Sequence, residues 1–492
     1  MPLLRARQEK PSWTPTRWKS AVLLQLLGLI ALFVVFIQIR DEKTEAHSLG
    51  GSSIRSKKLL PWRPGLLDIH HLQVGSSVSS FVIMPDGTTA LIDCGDLNVQ
   101  QALRDWKAMG PPFDSLNLRS PHPNDSKTPA GWVVEYLEEF WPKSTQQQPS
   151  SKQKKTLDYL LVTHFHADHI GDGSPRQTDR SKSSSGNYIL SGIPELVSKV
   201  NVKKIIDRGS PMNKEADHIA MEDATIKNYL QFMEENQDFI SFEQFQVGSA
   251  DQVKMQRRPH DYDFHIRVLK SNLQVVAIPH DPHHPAKDDI TQVKTIENSG
   301  DSSTAEHAAH GDENTMSAAF VFEYGNFRYY EGGDQEIIRS KNGDIVLDTI
   351  GPTASAAGKV DVATLNHHGH GVSKEYLTDI DPLIMILQGW SSDQPPKRSI
   401  EMIASMPYKT NDKSTIPRKI FATDMFQNRL DEFGPELSKL FASTSGHTVV
   451  RVHPPPPKED KTEPQMFEVL VLDGNRKIKA HHGHFPVRRT ER

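Results

Sequence analysis

Hydrophobic positions along the chain fall into three textures. From Ala21 to Ile39 (AVLLQLLGLIALFVVFIQI) the run is uncharged, broken only by Gln25 and Gln38. At ~1.5 Å of rise per residue such a helix is just long enough to cross a ~30 Å hydrocarbon core. A soluble core helix carries a polar stripe, and this run has none. The second texture begins at Leu66. Short strands are predicted at Leu67–His70, Ser79–Met84 and Thr89–Asp93, with Pro85-Asp86-Gly87 turning the last two into a hairpin. Leu157–Thr163 (LDYLLVT) is apolar apart from Asp158 near its start and Thr163, the texture of a strand covered on both faces. More strands are predicted at Leu273–Ile278, Ala318–Tyr324, Phe327–Glu331, Val360–Leu365 and Pro382–Leu387. Helical patterns lie at Asn98–Met109, Gly192–Val200 and Lys374–Thr378. A last hairpin, Gln465–Leu472 with Lys477–His481, turns at Asp473-Gly474-Asn475. Strands alternating with helices predict α/β layers and not a pure β sandwich.

The third texture is polar and of low complexity. It occupies residues 143–155, 174–186 and 285–314, which read as surface insertions. The organisation that follows is a short tail (1–20), a membrane anchor (21–39), a flexible linker (40–64), one large α/β domain (65–485) and a basic tail (486–492). Arg7, Lys10, Arg17 and Lys19 precede the apolar run, and Arg40 and Lys43 follow it. That bias predicts a single-pass protein with a cytoplasmic amino terminus and a translocated body. The alternative is a cleaved signal peptide and a secreted body; no small-x-small site follows the run, which favours the anchor.

Charge narrows the partners. Lys+Arg 57 against Asp+Glu 62 leaves a net −5, so no strong overall field draws the chain to nucleic acid. The basic segments Ser151–Lys155 and Arg488–Arg492 read as solvated, and 8 % aromatic content offers no evident stacking platform. The single cysteine, Cys94, excludes an intramolecular disulfide framework and any cysteine-based zinc cluster; it reads as a small buried residue. Histidine is the anomaly, at 23 residues, several in tight groups.

The densest group is Thr163-His164-Phe165-His166-Ala167-Asp168-His169-Ile170-Gly171, directly after the buried strand. Three imidazoles and a carboxylate this close cannot share one helix face, but a tight loop can aim them at adjacent points. Imidazole nitrogen suits Zn²⁺, and an added carboxylate suits a second or mixed site. A metal-free loop would crowd these groups at a desolvation cost.

This HxHxDH pattern after an apolar strand resembles the signature of the metallo-β-lactamase fold superfamily. Leu91-Ile92-Asp93-Cys94-Gly95, Gly333-Asp334 and Asn366-His367-His368-Gly369-His370-Gly371 follow in that family's order. The HHG form, LQVGSSVSSFVIMPDGTTALIDCGD and Glu313-Asn314-Thr315-Met316-Ser317 narrow the likeness to its ComEC-like branch, which includes phosphodiester-cleaving members. The likeness runs from about Leu66 to His453 and implies an αββα four-layer sandwich.

It also implies two metal ions, by default zinc, with manganese or iron as alternatives. His164 and His166 would hold one ion, Asp168 and His169 the other. Asp334 would bridge them, and either His367 or His368 would complete the second site. Asp93 would support the site through hydrogen bonds. The ions would share a hydroxide as nucleophile. His370 or Asp168 would shuttle a proton, or His370 contacts substrate or is a plain loop histidine. One position departs from the family: a mid-chain histidine is missing where Glu313 and Asn314 stand. Either of these substitutes, water fills the place, or a histidine arrives from elsewhere, with His280 the obvious volunteer. His307, His310 and the His481-His482-Gly483-His484 tail read as solvated.

The expected activity is therefore metal-dependent hydrolysis of a phosphodiester, in a nucleic acid or a phospho-headgroup, or of another small-molecule substrate. The alternatives are lactone or β-lactam hydrolysis at carbon–oxygen or carbon–nitrogen bonds, and a scaffold that has lost catalysis.

Overall fold

Side-chain alternation decides what each strand faces. In β1 (Leu67–His71), Leu67 and Ile69 turn to one apolar core while Asp68 and His70 turn to the opposite side. β2 (Ser80–Ile83) and β3 (Thr89–Ile92) repeat the pattern: Val82, Ala90 and Ile92 join Ile69, whereas Phe81, Ile83 and Leu91 face the other way. The computed structural model describes residues 58–143, 154–174, 180–209, 223–277, 292–297, 313–410, 413–457 and 463–488. The apolar run 21–39 lies outside these residues; no helix among the described residues is long and apolar enough to cross a membrane.

The predicted β2–β3 hairpin forms, pairing Ser80 with Ile92 and Ile83 with Thr89. Beside it lie the parallel strands β4 (Thr156–Leu161), β5 (Asn201–Asp207) and β6 (Ser241–Gln244). On the other side of β1 stand β20 (His447–Val452), β21 (Met466–Leu472) and β22 (Ile478–Pro486), completing a nine-stranded sheet. The second nine-stranded sheet holds β7 (Phe264–Ser271), β8 (Gln274–Val276), β9 (Val293–Thr295), β10 (Ala319–Tyr324) and β11 (Phe327–Glu331). Its remaining strands are β14 (Val362–Thr364), β15 (Ile384–Leu387), β18 (Lys419–Ala422) and β19 (Phe441–Ser443). Two short ribbons, β12 (Ile337–Arg339) with β13 (Ile345–Asp348) and β16 (Tyr408–Lys409) with β17 (Thr415–Ile416), stand apart.

The two sheets face each other across one core in which Ile69, Val82, Tyr159 and Val450 meet Phe320, Phe322, Tyr329 and Ile386. Helices Pro129–Phe140, Ile193–Lys199 and Ala224–Asn236 cover the outer face of the first sheet. Helices Ile350–Ala357, Lys397–Ser405 and Gln427–Ser438 cover that of the second. The fold is mixed α/β with two large sheets between helices, in line with the α/β layers expected from the sequence. Helix Pro129–Phe140 was not read from the sequence. Its signals were present: Thr128 caps it through a bond from the Gly131 amide, Pro129 opens it, and Trp132, Val133, Tyr136 and Leu137 form its buried face. The final hairpin runs further than expected, with β22 reaching Pro486.

A buried charge pair ties β1 to β20. Arg451 donates to both oxygens of Asp68, at 2.9 and 2.7 Å, and both side chains are almost fully buried. Burial raises the Asp68 pKa, but the guanidinium outweighs it and holds the carboxyl at about 2, below its ordinary 3.8. A carboxyl depressed in the folded state adds stability that is complete above pH 3.8 and lost as pH falls through about 2. Roughly 2 kcal/mol is the expected size. Urea unfolding at pH 5 and pH 2.5 should show it, and Asp68→Asn should lose that share of the acid slope while costing stability at neutral pH.

Candidate metal centre

Five strand ends meet at one rim between the sheets. Asp93 follows β3, the Thr163–His169 segment follows β4, Asp334 follows β11, His368 follows β14, and Gln388 and Trp390 follow β15. This is the carboxyl edge of these strands, where α/β sheets present side chains to ligands.

The histidine loop folds as a single helical turn, Ala167–Ile170, entered from His166. Backbone bonds hold it against the Cys94–Asp96 segment: Cys94 N to His169 O at 2.9 Å and Asp96 N to Ala167 O at 3.0 Å. The approach is so close that a Cβ on Gly95 would lie 1.8 Å from the Asp168 carbonyl oxygen, so only glycine fits there. Cys94 itself is buried, and burial pushes its thiol pKa well up. This is the inert small residue that the sequence suggested.

Asp168, His169, Asp334 and His368 converge, each buried, with one donor atom apiece and all four atoms within 4.8 Å of one another. His368 Nε2 stands 3.1 Å from Asp168 Oδ2 and 3.2 Å from Asp334 Oδ2. His169 Nε2 stands 3.4 Å from each of the same oxygens and makes no hydrogen bond. The outer nitrogens of both rings are occupied. His169 Nδ1 donates to Asp93 Oδ2 at 2.7 Å, and His368 Nδ1 to the Gln388 carbonyl at 2.7 Å. Each bond fixes the tautomer and turns the lone pair of Nε2 toward the carboxylates. Asp93 also accepts from the Thr163 amide and hydroxyl, at 2.8 and 2.7 Å, so it supports the site from behind. Trp390 Nε1 donates to Asp168 Oδ2 at 3.1 Å.

A second set lies beside the first. His164 Nε2 is 3.1 Å from His166 Nδ1 and 3.9 Å from Asp334 Oδ2. Asp334 is thus shared between the two sets.

The charge balance of the pocket calls for cations. Burial opposes charge on His368, yet the Asp334 and Asp168 carboxylates outweigh it and raise its pKa to about 10. Burial likewise opposes charge on His169, and Asp168, Asp334 and Asp93 drive it well up. The carboxyls of Asp168 and Asp334 are held well below their usual range by these imidazoles, against their burial. Two buried carboxylates demand positive charge at the point between them. A divalent ion satisfies that demand with neutral imidazoles, and the nitrogen and oxygen donors fit such an ion. Behind the donors sits a cavity of about 20 Å³, lined in part by Asp93, His169 and Glu331. That is room for about one water.

His367 and His368 part company here. Both have positive φ, 48° and 50°, which turns successive side chains apart. His368 joins the carboxylates. His367 faces Asn314, with Nε2 3.3 Å from Asn314 Nδ2, and lies 3.4 Å from Glu336 through Nδ1. Burial works against its charge, but Glu336 and Asp334 raise its pKa. His370 stands 3.6 Å from Asp393, and burial lowers its pKa to about 4.

Glu313, one candidate for the missing mid-chain ligand, is paired with an arginine. It receives two bonds from the buried Arg208, from Nε at 2.5 Å and Nη2 at 2.7 Å, and one from the Phe165 amide at 2.8 Å. The Arg208 guanidinium also lies 4.1 Å over the Phe165 ring. This clamp fixes the middle of the histidine loop, and Glu313 is committed to it. Asn314 lies against His367 and not among the four clustered donors. His280, His307 and His310 lie outside the described residues.

Sequence reasoning missed Arg208, Gln388 and Trp390. Arg208 follows β5 directly after the buried Ile205-Ile206-Asp207 end of that strand, where an arginine signals a buried partner. Gln388-Gly389-Trp390 follows an apolar strand at the same rim and carried a comparable signal.

No family model matches this chain, and no curated protein sequence matches it. Solved structures similar to it include the metallo-β-lactamase fold protein YhfI from Bacillus subtilis. There identity is 11 %, the match covers 77 % of this chain and 95 % of that one, and the TM-score is 0.28. Zn²⁺-bound PqqB from Methylobacterium extorquens matches at 10 % identity, over 58 % of each chain, with a TM-score of 0.23. A mutant of the CmlA β-hydroxylase matches at 11 % identity, over 66 % of this chain and 46 % of that one, with a TM-score of 0.28. Likenesses at these values assign no activity.

Proposed function

We propose that this protein is a binuclear metal-dependent hydrolase that cleaves a phosphodiester, with zinc as its resident ion. The observation that carries the reading is the buried convergence of Asp168, His169, Asp334 and His368, with His164 and His166 adjoining through Asp334. Asp168, His169 and His368 would hold one ion, His164 and His166 the other, and Asp334 would bridge. Bound there, such ions supply Lewis-acid charge and an acidified water as nucleophile.

The chain's own groups do the rest. Asp93 and the Gln388 carbonyl keep protons on His169 Nδ1 and His368 Nδ1. Trp390 donates to Asp168 Oδ2 and His368 Nε2 lies 3.1 Å from it, which supports a ligand role for Asp168 over that of proton shuttle. His367, with its pKa raised beside Glu336, is the group suited to hand a proton from its ring to the departing oxygen. His370, its pKa near 4, is neutral at pH 7 and suited to accept a hydrogen bond from substrate. Glu313-Asn314 at the place of the family's mid-chain histidine, together with the HHG sequence, favours the phosphodiester over a lactone or β-lactam. Residues 21–39 would tether the enzyme to a membrane with this body translocated.

The test is metal content by plasma mass spectrometry on the full chain, with hydrolysis of bis-p-nitrophenyl phosphate, single-stranded DNA, a lactone and a cephalosporin. Two ions per chain with turnover of either phosphodiester is expected. Turnover of the lactone or the cephalosporin alone would overturn the substrate class.

A further inference from the structure

We propose that the edge of the first sheet carries a second, separate metal site, formed by His453, Glu468 and His484 on its outer face, for a divalent transition ion such as zinc. One ring nitrogen of each histidine and one carboxylate oxygen lie within 4.8 Å of one another. That span suits ligands sharing one ion at ~2.0–2.2 Å each.

The residues come from three neighbouring strands, and the arrangement depends on one irregularity. On β21, Glu468 pairs with Arg451 of β20 and with His484 of β22, so these three side chains stand in one row. His453 follows β20 two positions after Arg451 and faces the same way, with Nε2 3.6 Å from Glu468 Oε1. In β22 the register slips between Glu468 and Val469, whose partners are His484 and His482, leaving Gly483 as the extra residue. Such a bulge re-aims a side chain. Without it His484 would share a face with His482, which packs against the Phe421 ring at 4.9 Å. With it His484 shares a face with His481 and Glu468. The tail that reads as solvated in the sequence is therefore an edge strand with its histidines sorted onto two faces.

His481 completes the set without joining the shared point. It contacts the other oxygen, Glu468 Oε2, at 2.6 Å, and so orients the carboxylate with Oε1 toward His453. His453 Nε2 is buried and makes no hydrogen bond, as expected of a nitrogen kept for an ion. Arg451 acts on Glu468 through its charge alone, because its guanidinium hydrogen bonds go to Asp68 and the Leu60 carbonyl. Two nitrogens and one oxygen leave a coordination position open, and His484 is exposed, so an ion can enter from solvent and keep a water. Bound there, it would pin the edge strand β22 to β20 and β21.

This site does not rest on the proposed hydrolase reading, and the experiment separates the two. The full chain carrying Asp168→Ala and Asp334→Ala, stripped with EDTA, is titrated with Zn²⁺ by calorimetry. One equivalent should still bind. Adding either Glu468→Gln or His484→Ala should weaken that binding by more than ~100-fold, and His481→Ala by roughly 10–100-fold. His482→Ala, on the opposite face, should leave it unchanged. Absence of zinc binding in the doubly substituted chain would overturn the proposal, as would binding indifferent to Glu468→Gln and His484→Ala.

Discussion

Asp334→Ala should lose both bound ions and lower hydrolytic turnover by at least roughly 10²–10³-fold, the scale of removing one group that stabilises developing charge. Asp334 Oδ2 lies 3.2 Å from His368 Nε2, 3.4 Å from His169 Nε2 and 3.9 Å from His164 Nε2. It is the carboxylate that both donor sets share, so its removal leaves each set incomplete. Asp168→Ala should by contrast strip mainly the ion held with His169 and His368. Metal content and kcat measured on the same preparations check both statements. An Asp334→Ala chain with two ions and ordinary turnover would sink the assignment of Asp334 as the bridge.

Glu313→Ala should destabilise the fold by about 3–5 kcal/mol, because it leaves the Arg208 guanidinium buried without its carboxylate. Arg208 is 1 % exposed and donates to both Glu313 oxygens, so the stranded charge cannot turn to water. The same substitution frees the Phe165 amide, in the middle of the histidine loop. Turnover should therefore fall even under conditions where the chain stays folded. Urea unfolding reads the stability. Replacing both partners with apolar residues of similar volume should recover most of it, as for other buried pairs. A single-substitution loss under ~1 kcal/mol would show that Arg208 finds another partner.

The parts of this molecule that were legible in the sequence are those governed by neighbours in the chain. Pro85-Asp86-Gly87 turns one strand back on the next, and the expected hairpin forms. The period-2 and continuous apolar patterns placed β4, β10 and β11 within a residue or two, because burial on one or both faces acts position by position. The Thr163–Gly171 cluster stood out because four metal-binding side chains fall within six residues. Helix Pro129–Phe140 was missed although its cap and apolar face were written locally, since its aromatic residues suit strands as well.

What the tertiary structure decided are relations between distant residues. Which of two adjacent histidines meets Asp168 depends on the backbone at 367 and 368, where both take left-handed angles that spacing does not reveal. That Glu313 clamps Arg208, and not an ion, is a pairing over 105 positions. That His484 joins Glu468 depends on one extra residue in an edge strand. Sequence alone determined which chemical groups the chain owns and the local elements that carry them. Packing the two sheets determined which groups share a point in space, because side chains reach only a few ångströms and their partners arrive on strands from elsewhere in the chain.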